Sequence, residues 1–456
     1  MLKAAATKID ITPPLGVDLQ GYASRYKGAE SISDPLFARC VVVEDGVGAR
    51  WALISADVLS FENEDAGRIR EIARAALAVP EAHVSVATTH THSGPALLRL
   101  RNFGERDPAY LEYVVNAVGR CVKDALGRLQ PVVAVSQRGR AGFAVNRRKP
   151  LPDGQIALAP YPEGPADHEV TVTAFFPAGE ADRGKAGLPA PVAVVTNYAC
   201  HPVTLAANYE ISADFPGVYA RAVESVFPGA VALFLNGASG DINPPAMDGP
   251  ATTERCGLEL AGEVVKLVAL AAHAARGRGG DDARLLWQER SVELLLGELP
   301  PREELLQRAE ECKSRIEALA GRGDGSVNHW LAIKSWAEAC LAELDGEPLD
   351  RSFEVRLQVA ALGDTAWVFL PGELFVEFGL RIKAASPFAF THVAGYSNGW
   401  VGYIPTEDAF KKGGYEPNAY RYWQNRPVSP RAGEVVTAGA IDLLSRCSAE
   451  LAAAGA

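Results

Sequence analysis

The sequence predicts an α/β fold, with an α+β-like mixed sheet core and flanking helices. Two observations carry this. Short β-branched runs alternate with segments of helical apolar spacing along most of the chain, and four of the runs end in polar, turn-forming residues. Composition agrees with a folded core: of 456 residues, 48% are apolar and 22% charged. That balance excludes whole-chain disorder, a collagen-like repeat and a disulfide-stapled mini-fold.

The elements follow in order. The opening MLKAAATKIDITPPLG reads directly into an extended segment and lacks the apolar core of a signal peptide. Ala38–Glu44 and Trp51–Val58 are strands joined by a glycine-containing turn, which predicts a hairpin. Glu62–Leu77 carries helical periodicity, Val84–Thr88 is a further strand, and Pro108–Leu129 is an amphipathic helix. Val132–Gln137, Val170–Phe176, Val192–Tyr198 and Ala230–Leu235 add four strands, and Thr252–Ala275 a helix. Pro301–Leu344 reads as a charged helical pair broken by GRGDGS, followed by strands at Phe353–Leu362 and Thr365–Leu370. No repeat or low-complexity linker divides the chain. It is read as one domain, 1–456, with a helical insert at 301–344.

Acidic residues outnumber basic ones by 56 to 45, a formal net charge of −11. Such a chain has no global attraction for a phosphate backbone or an anionic membrane, so nucleic acid is not expected as a partner. The Asn146-Arg147-Arg148-Lys149-Pro150 stretch is a local basic exception. No window of about 18 uncharged apolar residues occurs, which argues against integral membrane association. The seven cysteines are scattered without a CxxC pair, against both a disulfide framework and a structural zinc knuckle. The expected location is the reducing cytoplasm.

The chemistry collects at the four strand ends. Thr89-His90-Thr91-His92-Ser93-Gly94-Pro95 sets two imidazoles just past an apolar strand, where a rigid scaffold carries a loop. Imidazole is the commonest transition-metal ligand and the usual acid/base near neutrality. His201-Pro202 follows a second strand, where His201 reads either as a buried structural residue or as a second ligand. Asn236–Pro245 follows a third strand; its Gly237 and Gly240 permit close backbone approach, and Asp241 and Asn243 supply polar groups. It reads either as a plain turn or as part of a site, and a nucleotide cradle is rejected because the lysine of that motif is missing. Glu373, in Leu370-Pro371-Gly372-Glu373, puts a carboxylate at the fourth. Two histidines, a carboxylate and an open position suit a hydrolytic metal centre. A second metal on Asp57, Asp214, Asp241 and His92 is the dinuclear alternative, with Asp214 read preferentially as a helix cap.

These motifs together resemble the neutral/alkaline non-lysosomal ceramidase family in its N-terminal catalytic domain. The residues that carry it run in family order: ITPPLGVDLQGYA, THTHSGP at 89–95, NRR at 146–148, CHPVT at 200–204, NGASGDINP at 236–244, PGE at 371–373 and GYIPTEDAFKKGGYE at 402–416. The resemblance implies a zinc amidohydrolase, with one Zn²⁺ held by His90, His201, Glu373 and Tyr403. It places His92 beside the scissile carbonyl and Arg147 and Tyr415 on the carbonyl or its oxyanion. Asp241 is a further acid/base candidate, and Asn146, Gly240 and Asn243 are assigned to substrate contact.

Two departures shape the expected function. The family's serine in the GNxSP or GDxSP turn is Asn243 here, and an amide cannot act as an alkoxide nucleophile. Attack by a metal-activated water is therefore expected. The C-terminal β-sandwich typical of ceramidases is not expected beyond Tyr415, so a small soluble amide, N-acyl or cyclic, is expected in place of ceramide. The alternatives are an esterase or lactonase on the same centre, and a catalytically silent homologue that binds a metal or acyl ligand.

Overall fold

The computed structural model describes residues 1–77, 83–179, 189–346 and 351–454. Strands β1 (Lys3–Asp10), β2 (Ser31–Ile32), β3 (Phe37–Glu44) and β4 (Arg50–Ala56) lead to α1 (Asn63–Leu77), β5 (His83–Thr88) and α2 (Pro108–Leu126). Then come β6 (Gln130–Arg140), β7 (Val145–Pro150), β8 (Ile156–Tyr161), β9 (Glu169–Pro177), β10 (Ala193–Tyr198) and β11 (Glu210–Ile211). Helix α3 (Asp214–Val226), β12 (Val231–Asn236), β13 (Ile242–Asn243), α4 (Pro250–Ala275) and β14 (Leu285–Leu295) precede the insert helices α5 (Arg302–Leu319) and α6 (Asn328–Asp345). The chain continues through β15 (Ser352–Leu362), β16 (Thr365–Phe369), β17 (Glu373–Leu374), α7 (Val376–Ala385) and β18 (Phe390–Ala394). It closes with β19 (Tyr403–Ile404), α8 (Glu407–Lys412), a 3₁₀ segment (Glu416–Tyr422) and α9 (Ala432–Ala454).

Two mixed sheets pack face to face. The larger has the order β12-β10-β9-β6-β1-β3-β4-β5, parallel at β10–β12 and β4–β5 and antiparallel elsewhere. The smaller is β14-β15-β16-β18, with β16 and β18 parallel. Strand alternation sorts side chains between layers. In β3, Cys40 and Val42 turn toward a core shared with α1 and α2, while Val41 and Val43 join Trp367 and Phe369 of the smaller sheet. Because both faces of β3 are covered, Cys40–Val43 is a continuous apolar run and not an alternation. Helices α3 and α4 cover the other half of the larger sheet, and α7 and α9 cover the outer face of the smaller one. The layers are therefore helix, sheet, sheet, helix.

The expected hairpin is β3–β4, in antiparallel register from Ala38↔Ala56 to Glu44↔Arg50. Helix α2 starts where the sequence places it: Pro108 opens it, and Asp107 caps it by accepting the Ala109 and Tyr110 N–H groups. The insert forms the expected helix pair, whose Leu305, Trp336 and Cys340 pack with Tyr420 of the 3₁₀ segment. The β7–β8 hairpin, β14, β18, α7 and α9 lie outside the expected elements. Among them, β7 contains the basic Asn146–Lys149 stretch, and β14 alternates charged with apolar residues as a half-exposed edge strand. All seven cysteines are buried and free. Among the described residues no helix is long and apolar enough to cross a membrane, and no separate β-sandwich forms.

Candidate metal centre

The larger sheet coils until its two ends approach: Ser55 Oγ on β4 donates to the Phe234 carbonyl on β12 at 2.6 Å. This brings the carboxyl ends of both parallel pairs, β4–β5 and β10–β12, to one place. His90 and His92 follow β5, His201 follows β10, and Ser239 and Gly240 follow β12. The smaller sheet adds Glu373 after β16. Strand β17 then pairs in parallel with β19, so that Glu373 and Tyr403 are register partners.

Three imidazoles and a carboxylate converge in this seam. Glu373 Oε2 lies 3.1 Å from His201 Nε2 and 3.4 Å from His90 Nε2, and His92 Nε2 lies 3.2 Å from His90 Nε2. The tautomers of two of the histidines are fixed from behind. His90 Nδ1 donates to the Leu59 carbonyl at 2.8 Å, and His201 Nδ1 donates to the Ser239 carbonyl at 2.7 Å. With Nδ1 so engaged, both rings turn Nε2 toward the Glu373 carboxylate, an arrangement that is favourable only with a proton or a cation between them. Ligand bonds of about 2.0–2.1 Å in a tetrahedron put neighbouring donor atoms about 3.3–3.4 Å apart, close to these separations. The residues present therefore fit a divalent ion. Among the described residues, His90, His92 and His201 form the group whose ligand atoms all lie within 4.8 Å of one another. His92 differs from the other two: its Nδ1 is buried without a partner, so nothing behind it fixes the tautomer.

Glu373 is held from its other oxygen, Oε1, which accepts from Trp400 Nε1 at 3.3 Å. Burial alone would raise its pKa, but positive charge on the His90 and His201 side outweighs that and holds the carboxyl well below the usual range. Beside it, Arg147 spans the site. Its Nη2 donates to the Tyr403 hydroxyl at 3.1 Å and the Gly240 carbonyl at 2.7 Å, its Nη1 to Asn243 Oδ1 at 3.0 Å, and its Nε to Glu416 at 2.9 Å. The Tyr415 ring meets the Tyr403 ring edge-on at 5.8 Å and remains 37% exposed, at the outer rim.

The remaining expected residues serve different places. Both oxygens of Asp241 are engaged, one by the Val376 N–H and one by Asn146 Nδ2, each at 2.8 Å, and burial pushes its pKa up to about 7. Asn146 itself bonds Asp241, the Pro165 carbonyl and the Arg148 N–H, so it braces the loop. Gly240 has no space for a side chain, since a Cβ there would lie 2.4 Å from the Glu373 carbonyl oxygen. The dinuclear alternative does not assemble. Asp57 binds Arg39 at 2.6 Å, and Asp214 binds Thr204 and the Phe215 N–H at the start of α3. Asp214 begins the helix as expected, yet its carboxylate ties the Thr204 loop to that start in place of a simple cap.

Four contributors to the site were not among the candidate residues read from the sequence. Leu59 acts through its backbone carbonyl, Trp400 through its indole, and Glu416 by pairing with both Arg147 and Arg148. Tyr396 stacks on His90 at 4.1 Å and shares a hydrogen bond with Ser239. The aromatic, glycine-rich run Tyr396–Pro405 was the one available hint to Tyr396 and Trp400.

With this geometry in place, comparisons with known proteins agree on the fold. The family described as neutral/alkaline non-lysosomal ceramidase, N-terminal, matches residues 3–280. The crystal structure of the neutral ceramidase from Pseudomonas aeruginosa superposes with a TM-score of 0.71 at 19% identity, over 97% of this chain and 74% of that one. A structure of a ceramidase complexed with C2 gives the same TM-score and coverage at 18% identity. A search of curated proteins finds no match.

Proposed function

Because the chain belongs to the neutral/alkaline non-lysosomal ceramidase family, we propose that it is a metal-dependent hydrolase cleaving the amide bond of a small soluble substrate, not restricted to ceramide. The observation that supports this reading best is the convergence of His90, His201 and Glu373 through lone-pair-bearing atoms 3.1 and 3.4 Å apart. His90, His201, Glu373 and Tyr403 would hold the ion, expected to be zinc, and Arg147 and Trp400 orient two of them from behind. Such an ion supplies Lewis acidity toward the carbonyl and lowers the pKa of water.

The other residues supply binding and proton transfer. His92, free of a fixing hydrogen bond at Nδ1, takes the proton from the attacking water and returns it to the leaving amine. Arg147 and Tyr415 donate to the carbonyl oxygen as charge develops there, each donor being worth about 2.7–4 kcal/mol of barrier. Asn243 keeps Arg147 aimed through its Oδ1; one amide N–H donates to Met247 Sδ, and the other is left to offer to substrate. Asp241 acts at one remove by pinning Asn146 and the start of α7.

The test is elemental mass spectrometry on wild type and His201→Ala, purified without a metal-affinity tag, followed by hydrolysis of paired amides and esters sharing one acyl group. About one zinc per chain, lost in the variant, with amide turnover is the expected result. Metal-free wild type would overturn the proposal, and ester turnover without amide turnover would replace it by the esterase reading.

A further inference from the structure

Four arginines are buried among the described residues: Arg25, Arg39, Arg147 and Arg426. Three have a carboxylate of their own. Asp57 lies 2.6 Å from Arg39, Glu416 2.9 Å from Arg147 and Glu343 2.8 Å from Arg426. Arg25 makes no ion pair with a described residue. Its Nε donates to the Asn208 carbonyl at 2.7 Å, and its Nη1 to the Gln20 and His92 carbonyls at 2.9 and 2.7 Å; Nη2 has no partner. Burial pulls its pKa down only to about 10, so the guanidinium stays charged at neutral pH. A buried cation without a counter-charge is costly, and a protein that keeps one has a use for it or fills it with a ligand.

Its position is informative. Arg25 reaches the main chain of His92, the residue assigned to proton transfer. The guanidinium also sits over the Tyr22 ring at 5.0 Å, and that ring meets the His92 imidazole edge-on at 5.3 Å. The Tyr22 hydroxyl is likewise buried and without a partner. Arg25 lines an open cavity of about 390 Å³ together with Leu19, Leu100 and, from the insert, Asn328. Asp18 and Glu105 also border this cavity; Asp18 accepts the Glu105 N–H, and neither pairs with Arg25.

We propose that Arg25, with the Tyr22 hydroxyl, is the subsite for a carboxylate borne by the substrate, and that the enzyme prefers amides with a carboxylate a few bonds from the scissile bond. A guanidinium suits this role because its fixed fork matches a carboxylate. The proposal rests on the amidohydrolase reading for the reaction, while binding of the carboxylate stands apart from it. The carboxylate can lie on the amine side, as in N-acetylglycine, or on the acyl side, as in succinamic acid.

The experiment titrates these two acids and neutral N-methylacetamide into the purified holoenzyme by calorimetry, and measures kcat/KM for the same compounds. Wild type, Arg25→Gln, Arg25→Lys and Tyr22→Phe are compared, each with its unfolding midpoint. Arg25→Gln should weaken binding of one acid at least tenfold more than it weakens binding of the neutral amide. Arg25→Lys should recover part of that loss, and Tyr22→Phe should show a smaller loss confined to the same acid. Equal wild-type affinity for acids and neutral amide would overturn the proposal, as would equal losses for both in Arg25→Gln. If Arg25→Gln does not fold, an unchanged acid preference in Tyr22→Phe and Arg25→Lys overturns it. Arg25-dependent binding without turnover of any amide would sink the hydrolase reading and leave the subsite standing. Amide turnover with binding indifferent to Arg25 would do the reverse.

Discussion

Gly240→Ala is the sharpest perturbation of the centre, because the clash it creates is with backbone. A Cβ at 240 would lie 2.4 Å from the Glu373 carbonyl oxygen, 2.9 Å from its carbonyl carbon and 2.9 Å from the Leu374 oxygen. An ordinary contact of this kind needs about 3.4 Å, so the β17 backbone must retreat by about 1 Å, against the packing density of a buried core. Glu373 Oε2 now stands 3.1 Å from His201 and 3.4 Å from His90, and a shift of that size removes it from the ligand set. Overpacking of this kind costs about 1–3 kcal/mol of stability. Loss of a properly held ligand should lower metal affinity at least as much as loss of a supporting contact, about 10–100-fold. Zinc competition against a chromophoric chelator, with urea denaturation alongside, reads both quantities. Gly262→Ala is the control: it lies on the exposed face of α4 with nothing within 4 Å of the added atom, and it should be neutral or slightly stabilising. Unchanged zinc affinity and unchanged unfolding midpoint in Gly240→Ala would refute the close approach of the two loops.

Two further changes probe the buried charges. Glu416→Gln leaves Arg147 and Arg148 facing a neutral amide in a buried site, which should cost about 3–5 kcal/mol in urea denaturation and lower activity through Arg147; a loss under 1 kcal/mol would contradict the pairing. Asp214→Asn tests a pH dependence whose sign follows from burial, which pushes the Asp214 carboxyl up to about 6. The folded state then binds more protons than the unfolded one between about pH 4 and 6, so wild-type stability falls across that window and levels off above it. The window is about 2 pH units wide, or about 3 kcal/mol at most. Asparagine tolerates the left-handed backbone at 214 (φ 58°), so the variant should gain on wild type as pH rises from 4 to 6. Parallel stability curves for the two proteins would show that Asp214 does not titrate there.

The sequence reading reached the strand ends but not the way they meet. His90, His201, Asn243 and Glu373 each stand just past a recognisable apolar run, where turn residues advertise a loop. What brings these loops together is the coiling of the larger sheet and the two-residue pairing of Glu373 with Tyr403, and neither leaves a local periodicity. Glu416 is an acid in a turn, with nothing in its neighbours to mark it as the counter-charge of Arg147, some 270 residues earlier. Arg25 is equally silent, since an arginine between a tyrosine and a loop reads as surface until its burial is known. The β14 strand was missed because its charged alternation matches an exposed edge, and α9 because an alanine-rich helix buried on one side carries weak periodicity.

The backbone at the centre explains why bulky residues stand where glycine would be cheaper. His90 and Tyr396 both lie in the left-handed region, φ 68° and 51°, at a cost of order 1–3 kcal/mol each. Glycine would remove that cost, yet both side chains are required, because their rings stack at 4.1 Å and the His90 imidazole points into the seam. The strained conformations are held by main-chain hydrogen bonds, one among the larger sheet's loops, one between the sheets and one among the smaller sheet's loops. His90 N–H binds the Val58 carbonyl at 3.0 Å, Thr88 N–H binds the Tyr396 carbonyl at 3.2 Å, and Tyr396 N–H binds the Gly372 carbonyl at 3.1 Å. The first joins the loops that follow the β4–β5 pair, the second ties β5 to the loop after β18, and the third ties that loop to the residue before Glu373. The loops that carry His90 and Glu373 are therefore joined by main-chain bonds across the seam. The ligand geometry of a site joined this way should respond more to backbone clashes at Gly240 or Gly372 than to changes in the surrounding surface.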